Sequence, residues 1–514
     1  MAIFLQSCHE DDSHSGIHLS MSDLLSLRDS SLILNEAAIR HSISRFVRAD
    51  NDSAQADRYA RRYYGAGRPL LWVDRLGADQ RADTMLAFLD DVAKMGFSEQ
   101  RFRVKQITKD LQRLRQLDFS DAHPLNTVLA RLEYNLTKAY LNYAVGQGFG
   151  FMNPRAVLNH FDVKDSDSVH VTYHRLFDIP MKFADESFYE RAYGKVRHDS
   201  ISPFLHDLQP RNPFYHRLLT MLNDDSLDAK DRPKILCNME RCRWRLADQP
   251  YEHRKYVLVN IPAYRLWAVD GDSILTMRVG CGTSKTKTPL LSSHIKRLEV
   301  NPQWVIPRSI IEKDIVRHVG DYSYFERRHY FVRNRRTGKN VPLENVTWSM
   351  LMDKNYLVIQ EGGAGNSLGR IIFRFDNNFS VYLHDTSTPG FFSRNERAVS
   401  HGCVRVQQPF DLAKFLLGQN DGELIDKIGY SMKADVSVLG SNRRRSYADD
   451  EDYVPPLDTL DRSRLISHCE VKPEVPIFLT YFTLFETPDG SLHKYADVYG
   501  FDRVIYKNIK SYIQ

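Results

Sequence analysis

Cysteine is scarce in this chain. There are six in 514 residues, at positions 8, 237, 242, 281, 403 and 469, with no Cys-x-x-Cys pair and no regular spacing. The chain therefore lacks the disulfide framework of small secreted domains and the close thiolate pairs of structural zinc sites. Long apolar runs are missing too. None approaches the ~18 residues that a membrane-spanning helix requires. Charge of one sign is also lacking, since 70 Lys+Arg against 65 Asp+Glu leave +5, with a pI near 8.7. Such mild basicity suits a weakly anionic polymer or surface and makes no case for nucleic acid. The short basic runs RNRRTGK (333–339) and NRRRSY (442–447) read as solvated loops. There are no internal repeats.

What is present is a globular composition, 42% hydrophobic and 26% charged, in a chain too long for one core. Residues 1–27 read as a disordered or lipoprotein-type N-terminus. MAIFLQSC resembles the end of a bacterial lipoprotein signal, which would make Cys8 a lipid anchor, although the charged start and a full-length apolar stretch are missing. Residues 28–234 carry helical periodicity. In DQRADTMLAFLDDVAKMGF the apolar Met85, Leu86, Leu89, Val92 and Ala93 recur at helical spacing before Gly96, and NTVLARLEYNLTKAYLNYAVGQG behaves alike, with Gly146 and Gly148 as its expected stop.

From residue 255 the period changes to that of strands. KYVLVNIPAYRLWAVDGDSILTMRVGCG contains an Asp270-Gly271-Asp272 turn, and RIIFRF and SVYLHD follow, with Asn377-Asn378 between them. A helix is expected from Pro409 to Gly418. Residues 439–467 read as a linker, and 468–514 as a β-rich segment packing on the preceding domains.

The chemistry concentrates in HDTSTPGFFSRNERAVSHGCVRV (384–406). Cys403 follows Ser-His-Gly at the edge of a strand, and Gly402 removes a side chain that would crowd an approaching carbonyl. Backbone amides there are candidates for an oxyanion hole. His384 ends a strand in which Tyr382 and His384 share one face, so its imidazole is a candidate base for the thiol, oriented by backbone near Asp385. The competing readings are ordinary core packing, or a zinc site built from His384, His401 and Cys403. The glycine-rich EGGAGNSLGR (361–370) precedes a strand rather than opening a helix after one, which is the wrong geometry for a phosphate cradle.

Read whole, His384-Asp385-Thr386 followed by Ser400-His401-Gly402-Cys403-Val404-Arg405 resembles the signature of the L,D-transpeptidase (YkuD) family. NMERCRWR, NPQWVIPRSI and NSLGRIIFRF extend the likeness to a large, YcbB-like branch over roughly residues 60–505. The resemblance implies an α+β fold: a mostly helical scaffold, then a β-rich catalytic domain over 235–438 with a capping insertion at about 310–360. It also implies that Cys403 attacks a tetrapeptide stem of peptidoglycan, releases D-Ala with His384 as acid–base, and passes the acyl group to an amine as a 3→3 crosslink. His401, Gly402 and Asp385 would assist, and Trp304, Tyr382, Asn366, Arg405, Ser400 and Arg397 would line or hold the donor cleft. Carbapenem-type β-lactams would be inhibitors and the periplasm or cell envelope the location; no cofactor or metal is called for. One departure is plain: no peptidoglycan-binding module fits between YHRLLTMLNDD and ILCNMERCRWR. The alternatives left open are an L,D-carboxypeptidase on the same fold and a non-catalytic wall-binding scaffold.

Overall fold

The computed structural model describes residues 33–74, 77–166, 171–418, 421–434, 436 and 460–513. Cys8 and residues 439–459 of the expected linker lie outside them. The chain divides into two compact units. One holds residues up to 152, 182–245 and 506–514; the other holds 153–181 and 246–505.

The first unit is helical, as the periodicity predicts. Its axis is Leu125–Phe149, of which twenty of 25 residues are buried, so it is buried nearly all round rather than on one stripe. The helix runs through both glycines expected to end it. Gly146 sits against the Phe151 ring and Gly148 against Leu208, where a Cβ would lie 2.1 and 2.9 Å from those side chains. These glycines serve close packing, and the helix stops only at Gly150, which has φ +87°. The same helix buries Glu133, whose carboxylate accepts the amides of Leu71, Trp72 and Val73 at 2.6, 2.8 and 3.0 Å and so satisfies three consecutive backbone donors. Helix Gln80–Asp90 buries Met85 and Leu89 as expected, with Gly96 in the left-handed region at the following turn.

The second unit is built on a sheet that closes on itself. Ile371–Phe375, Leu383–His384, Val404–Val406, Ser273–Gly282, Arg265–Asp270, Lys255–Asn260, His468–Thr480 and Leu290–Val300 pair in that order, and Leu290–Val300 pairs back to Ile371–Phe375. The Asp270-Gly271-Asp272 turn does form a hairpin, with Asp270 opposite Ser273. The run from 255 to 282 holds three strands, Lys255–Asn260, Arg265–Asp270 and Ser273–Gly282.

Three boundaries differ from the sequence reading. Helix Arg232–Arg243 belongs with the helical unit. Residues 153–181 belong with the sheet, because Phe177–Asp178 pairs in parallel with Leu290–Leu291. Strand His468–Thr480 is no appendage: it lies inside the sheet, parallel to Lys255–Asn260 and antiparallel to Leu290–Val300, and the chain then ends in a helix, Phe501–Ile513.

The insertion is a small subdomain with its own four-stranded sheet of Trp304–Val305, Tyr356–Gln360, Tyr330–Asn334 and Asn340–Val341. Ile306, Ile311, Ile315, Phe325, Val332, Leu351 and Val358 make its core. Most of its aromatics are thereby explained by packing, while Tyr322 and Trp348 stay exposed.

Candidate active site

Two short neighbouring strands position the thiol and the imidazole. Leu383–His384 runs parallel to Val404–Val406, with Leu383 opposite Val404 and His384 opposite Arg405. The Val404 amide donates to the Tyr382 carbonyl at 3.1 Å, extending this register by one residue. Side chains alternate along a strand, so Tyr382 and His384 share a face with Cys403 and Arg405. Cys403 lies beside Tyr382, and His384 beside Arg405, one diagonal step away.

The partly exposed Cys403 Sγ lies 3.9 Å from the carbonyl of Ser380, a residue held in the left-handed region at φ +54°. Burial pushes this thiol up from its ordinary value; hydrogen bonds from the Tyr382 backbone and hydroxyl, and the charges of Arg374 and Arg405, partly oppose the rise. No hydrogen bond joins Cys403 to His384 in this structure. The His384 ring is buried and its Nδ1 has no hydrogen-bonding partner. Burial pushes its pKa down to about 4, the nearby Arg405 cation adds to the effect, and backbone at Asp385 and Leu368 opposes it. The pair therefore rests as neutral thiol and neutral imidazole, the imidazole already in its basic form.

The loop before the cysteine is tightly held. Ser400 Oγ donates to the Cys403 carbonyl at 2.5 Å and accepts the Gly402 amide at 3.1 Å. The Gly402 N–H, expected in the oxyanion hole, is thus spent on Ser400. Gly402 is needed for its φ of +122°, and its carbonyl accepts from Thr288 Oγ1 at 2.8 Å. His401 is exposed. Arg397 is buried with its guanidinium on the carbonyls of Val279 (3.1 Å) and Tyr264 (2.8 Å), so it builds the loop rather than meeting a substrate.

Asn366 also differs from the expectation of a cleft-lining residue. It is 1% exposed, and its amide donates to the carbonyls of Pro302 and Glu361 while its oxygen accepts the Leu368 amide, so it shapes the glycine-rich loop. Asp385 holds the far end of that loop by accepting the Arg370 amide at 2.7 Å, and it packs on Gly369, where a Cβ would lie 2.5 Å or less from it. Trp304 packs against the core of the inserted subdomain. Arg405 stands over Phe391 with its Nε buried and unpaired.

Sequence reasoning missed Arg374. It pairs with Glu299 at 2.9 Å and lies over the Tyr382 ring at 4.7 Å, bringing a positive charge to the thiol's side of the sheet. It stands three residues before Asn377, facing the same way as Ile372 and opposite to Phe375; nothing local marks it. Arg374, Ser380 and Tyr382 border a cavity of about 650 Å³ that continues past Asp376, Asn378 and Asp178, so a polar space adjoins two residues that neighbour the thiol. Among the described residues no cluster of three or more His, Cys, Asp or Glu side chains is arranged to hold a metal, and no cysteine is paired.

The depressed histidine has a consequence for stability. Above pH 6.5 the imidazole is neutral in both folded and unfolded chains. As pH falls below 6.5 the unfolded ring takes a proton that the native ring refuses until about pH 4. Linkage makes this about 3 kcal/mol of native stability lost between those values. Wild type should thus lose more unfolding temperature between pH 7 and pH 4 than His384→Gln does, as measured by circular dichroism melts; equal losses would count against the buried neutral ring.

Residues 254–436 match the family model of the YkuD L,D-transpeptidase catalytic domain, and residues 57–222 match that of a scaffold domain. A Haemophilus influenzae protein that carries the name "Putative L,D-transpeptidase" is 27% identical over 336 residues, which are 63% of this chain and 61% of that protein. The matched stretch therefore spans less than two thirds of that relative. Two solved structures are similar over 32% of this chain: an L,D-transpeptidase from Mycobacterium smegmatis (15% identical, 53% of that chain, TM-score 0.16) and L,D-transpeptidase 1 of Mycobacterium tuberculosis (18%, 55%, TM-score 0.14). The assignment rests on the sequence match over 254–436, which includes the strands carrying His384 and Arg405 and the Cys403 loop between them. Residues 254–436 thus carry a YkuD-type L,D-transpeptidase catalytic domain by the family-model match.

Proposed function

We propose that this protein is a cysteine-dependent L,D-transpeptidase of the cell envelope, acting on peptidoglycan stem peptides in wall biogenesis. The observation that carries the reading is the partly exposed thiol of Cys403 beside Ser380 and Tyr382, which line an open polar cavity, with a buried imidazole one diagonal step away on the adjacent strand. The donor enters from the cavity side and turns the thiol from Ser380 toward His384. Hydrogen bonds of this kind commonly close only in the substrate complex. His384 takes the thiol proton as sulfur attacks the carbonyl between the third residue and D-Ala of a tetrapeptide stem. The carbon–nitrogen bond then breaks, the departing amine receives that proton, and a thioester remains on Cys403. The amine on the third residue of a neighbouring stem attacks the thioester, forming the 3→3 amide and returning the thiol.

The direct test is intact-protein mass spectrometry after incubation with a tetrapeptide muropeptide. A mass gain equal to the stem without D-Ala, followed by crosslinked dimer in the supernatant, is expected. Tripeptide product without dimer would instead favour the L,D-carboxypeptidase reading. A carbapenem should also acylate this thiol, because its strained amide presents the same electrophile. One drug-sized adduct is expected on wild type and none on Cys403→Ala; an adduct on another cysteine would contradict selective activation of Cys403.

The inserted subdomain has a place in this chemistry as a cover that favours an amine over water. Gln360, at its edge, donates to the carbonyls of Arg328 (3.0 Å) and Gly365 (3.3 Å) and accepts the Ser367 amide at 2.9 Å, which ties the subdomain to the loop whose Leu368 backbone lies by His384. Replacing residues 318–345 with a short Gly-Ser link should raise the ratio of hydrolysed to transferred product several-fold while Cys403 still acylates. An unchanged ratio would remove the subdomain from this role.

A further inference from the structure

Attack on an amide puts negative charge on the carbonyl oxygen, and the loop around Cys403 leaves few donors to receive it. The Gly402 N–H is spent on Ser400 Oγ at 3.1 Å. The Cys403 N–H gives a hydrogen bond to no described residue. It shares one peptide group with the Gly402 carbonyl. That peptide is trans, since the cis bond among the described residues is Lys472–Pro473. In a trans peptide the C=O and N–H point in opposite directions, so whatever fixes the carbonyl also aims the N–H.

Thr288 fixes the carbonyl. Its Oγ1 donates to Gly402 O at 2.8 Å and accepts the Gly282 N–H at 2.9 Å. A threonine hydroxyl carries one hydrogen; with the Gly282 amide on a lone pair, that hydrogen goes to the Gly402 carbonyl. Thr288 is 0% exposed, so water does not compete for it. A hydrogen bond accepted by the carbonyl also polarises the peptide, which makes the Cys403 N–H a better donor. Thr288 is itself held from far along the chain. The Tyr499 hydroxyl donates to the Gly282 carbonyl at 2.7 Å and accepts the Thr288 amide at 3.1 Å. Gly282 permits this close approach, because a Cβ there would lie 2.0 Å from the Thr286 carbonyl and 2.7 Å from the Thr288 nitrogen. The same turn grips the loop once more, where Thr286 Oγ1 and the Thr283 N–H both donate to the Ser400 carbonyl, at 2.9 and 3.1 Å.

We propose that Thr288 is a positioning residue for acyl transfer: it holds the Gly402–Cys403 peptide so that the Cys403 N–H meets the oxygen of the attacked carbonyl, and Tyr499 holds Thr288. The proposal rests on the reading of Cys403 as the acylated nucleophile. As sulfur bonds to the carbonyl carbon, the π pair moves onto oxygen. It returns when the carbon–nitrogen bond breaks and the amine leaves with the thiol's proton. A donor aimed at that oxygen stabilises the transition state without touching the thiol or its base.

The test compares two reactions of one thiol in the full chain. A carbapenem acylates Cys403 through an oxyanion, whereas iodoacetamide alkylates it by displacing iodide and builds no charge on an acyl oxygen. Both rates are read on the Cys403 peptide by mass spectrometry. Thr288→Val, of the same shape, should acylate at least about tenfold more slowly than wild type while its alkylation rate stays within about twofold. Thr288→Ser, which keeps the hydroxyl, should restore acylation, and Tyr499→Phe should show a smaller loss, again confined to acylation. Unchanged acylation in Thr288→Val, acylation and alkylation falling together, or no rescue by Thr288→Ser would overturn the proposal, because a merely structural role displaces the sulfur for both reagents. If Thr288→Val does not fold, the same ratio in Tyr499→Phe decides. Wild type that a carbapenem acylates but that turns over no tetrapeptide stem would sink the transpeptidase reading, and the two rates would still decide the role of Thr288. Wild type that neither reagent class acylates would overturn both.

Discussion

Cys403→Ala should abolish both crosslinking and D-Ala release while leaving the fold in place. The side chain is partly exposed, and its sulfur makes only weak contacts, with the Ser380 carbonyl at 3.9 Å and with Tyr382, so removing it costs at most about 1 kcal/mol of stability. The loop geometry does not depend on it. Ser400 holds the Cys403 carbonyl and the Gly402 amide, and Thr288 holds the Gly402 carbonyl, all without the thiol. Loss of activity with an unchanged unfolding temperature is therefore the expected pair of measurements. Residual transfer above the uncatalysed rate would place the nucleophile elsewhere, and Cys281, Cys237 and Cys242 are poor substitutes because each is buried.

His384→Ala should lower kcat/KM by roughly 10²–10⁴-fold, the range for a missing general base. The dependence on pH identifies the role more sharply than the size of the loss. In wild type the imidazole is neutral down to about pH 4, so the acid limb of kcat/KM should lie well below the 6.5 of an ordinary histidine. Without that base, acylation relies on thiol that has ionised by itself, and burial holds this thiol above its ordinary value. The variant's rate should then climb about tenfold per pH unit across the neutral range and approach wild type only in alkali. A variant whose rate is flat in pH from 6 to 8 would mean that His384 does not act on the thiol. The buried ring also occupies space among Leu368, Tyr382 and Arg405, so His384→Gln is the better-packed comparison and should show the same climb.

The sequence by itself determined the nucleophile candidate, its partner imidazole and the fold class. These are local signals: a Ser-His-Gly-Cys run, a strand that ends in histidine, and a change of apolar period near residue 255. The capping insertion at about 310–360 came from the family resemblance rather than from any local pattern, and its own core of Ile306, Phe325, Val332 and Val358 is a tertiary feature. Tertiary structure decided what each neighbour does. Asn366, Arg397 and Ser400 are residues whose polar groups are consumed by backbone hydrogen bonds, and whether an amide faces a cleft or a carbonyl depends on strands far apart in sequence. The same applies to Gly402, whose amide is taken by Ser400, and to Arg374, which reaches the thiol's surroundings only because Ile371–Phe375 pairs beside Leu383–His384. Strand His468–Thr480 shows the limit most plainly. Its alternation and β-branched residues announce a strand, but its place between Lys255–Asn260 and Leu290–Val300 is set by pairing across more than 160 residues, which no local pattern encodes.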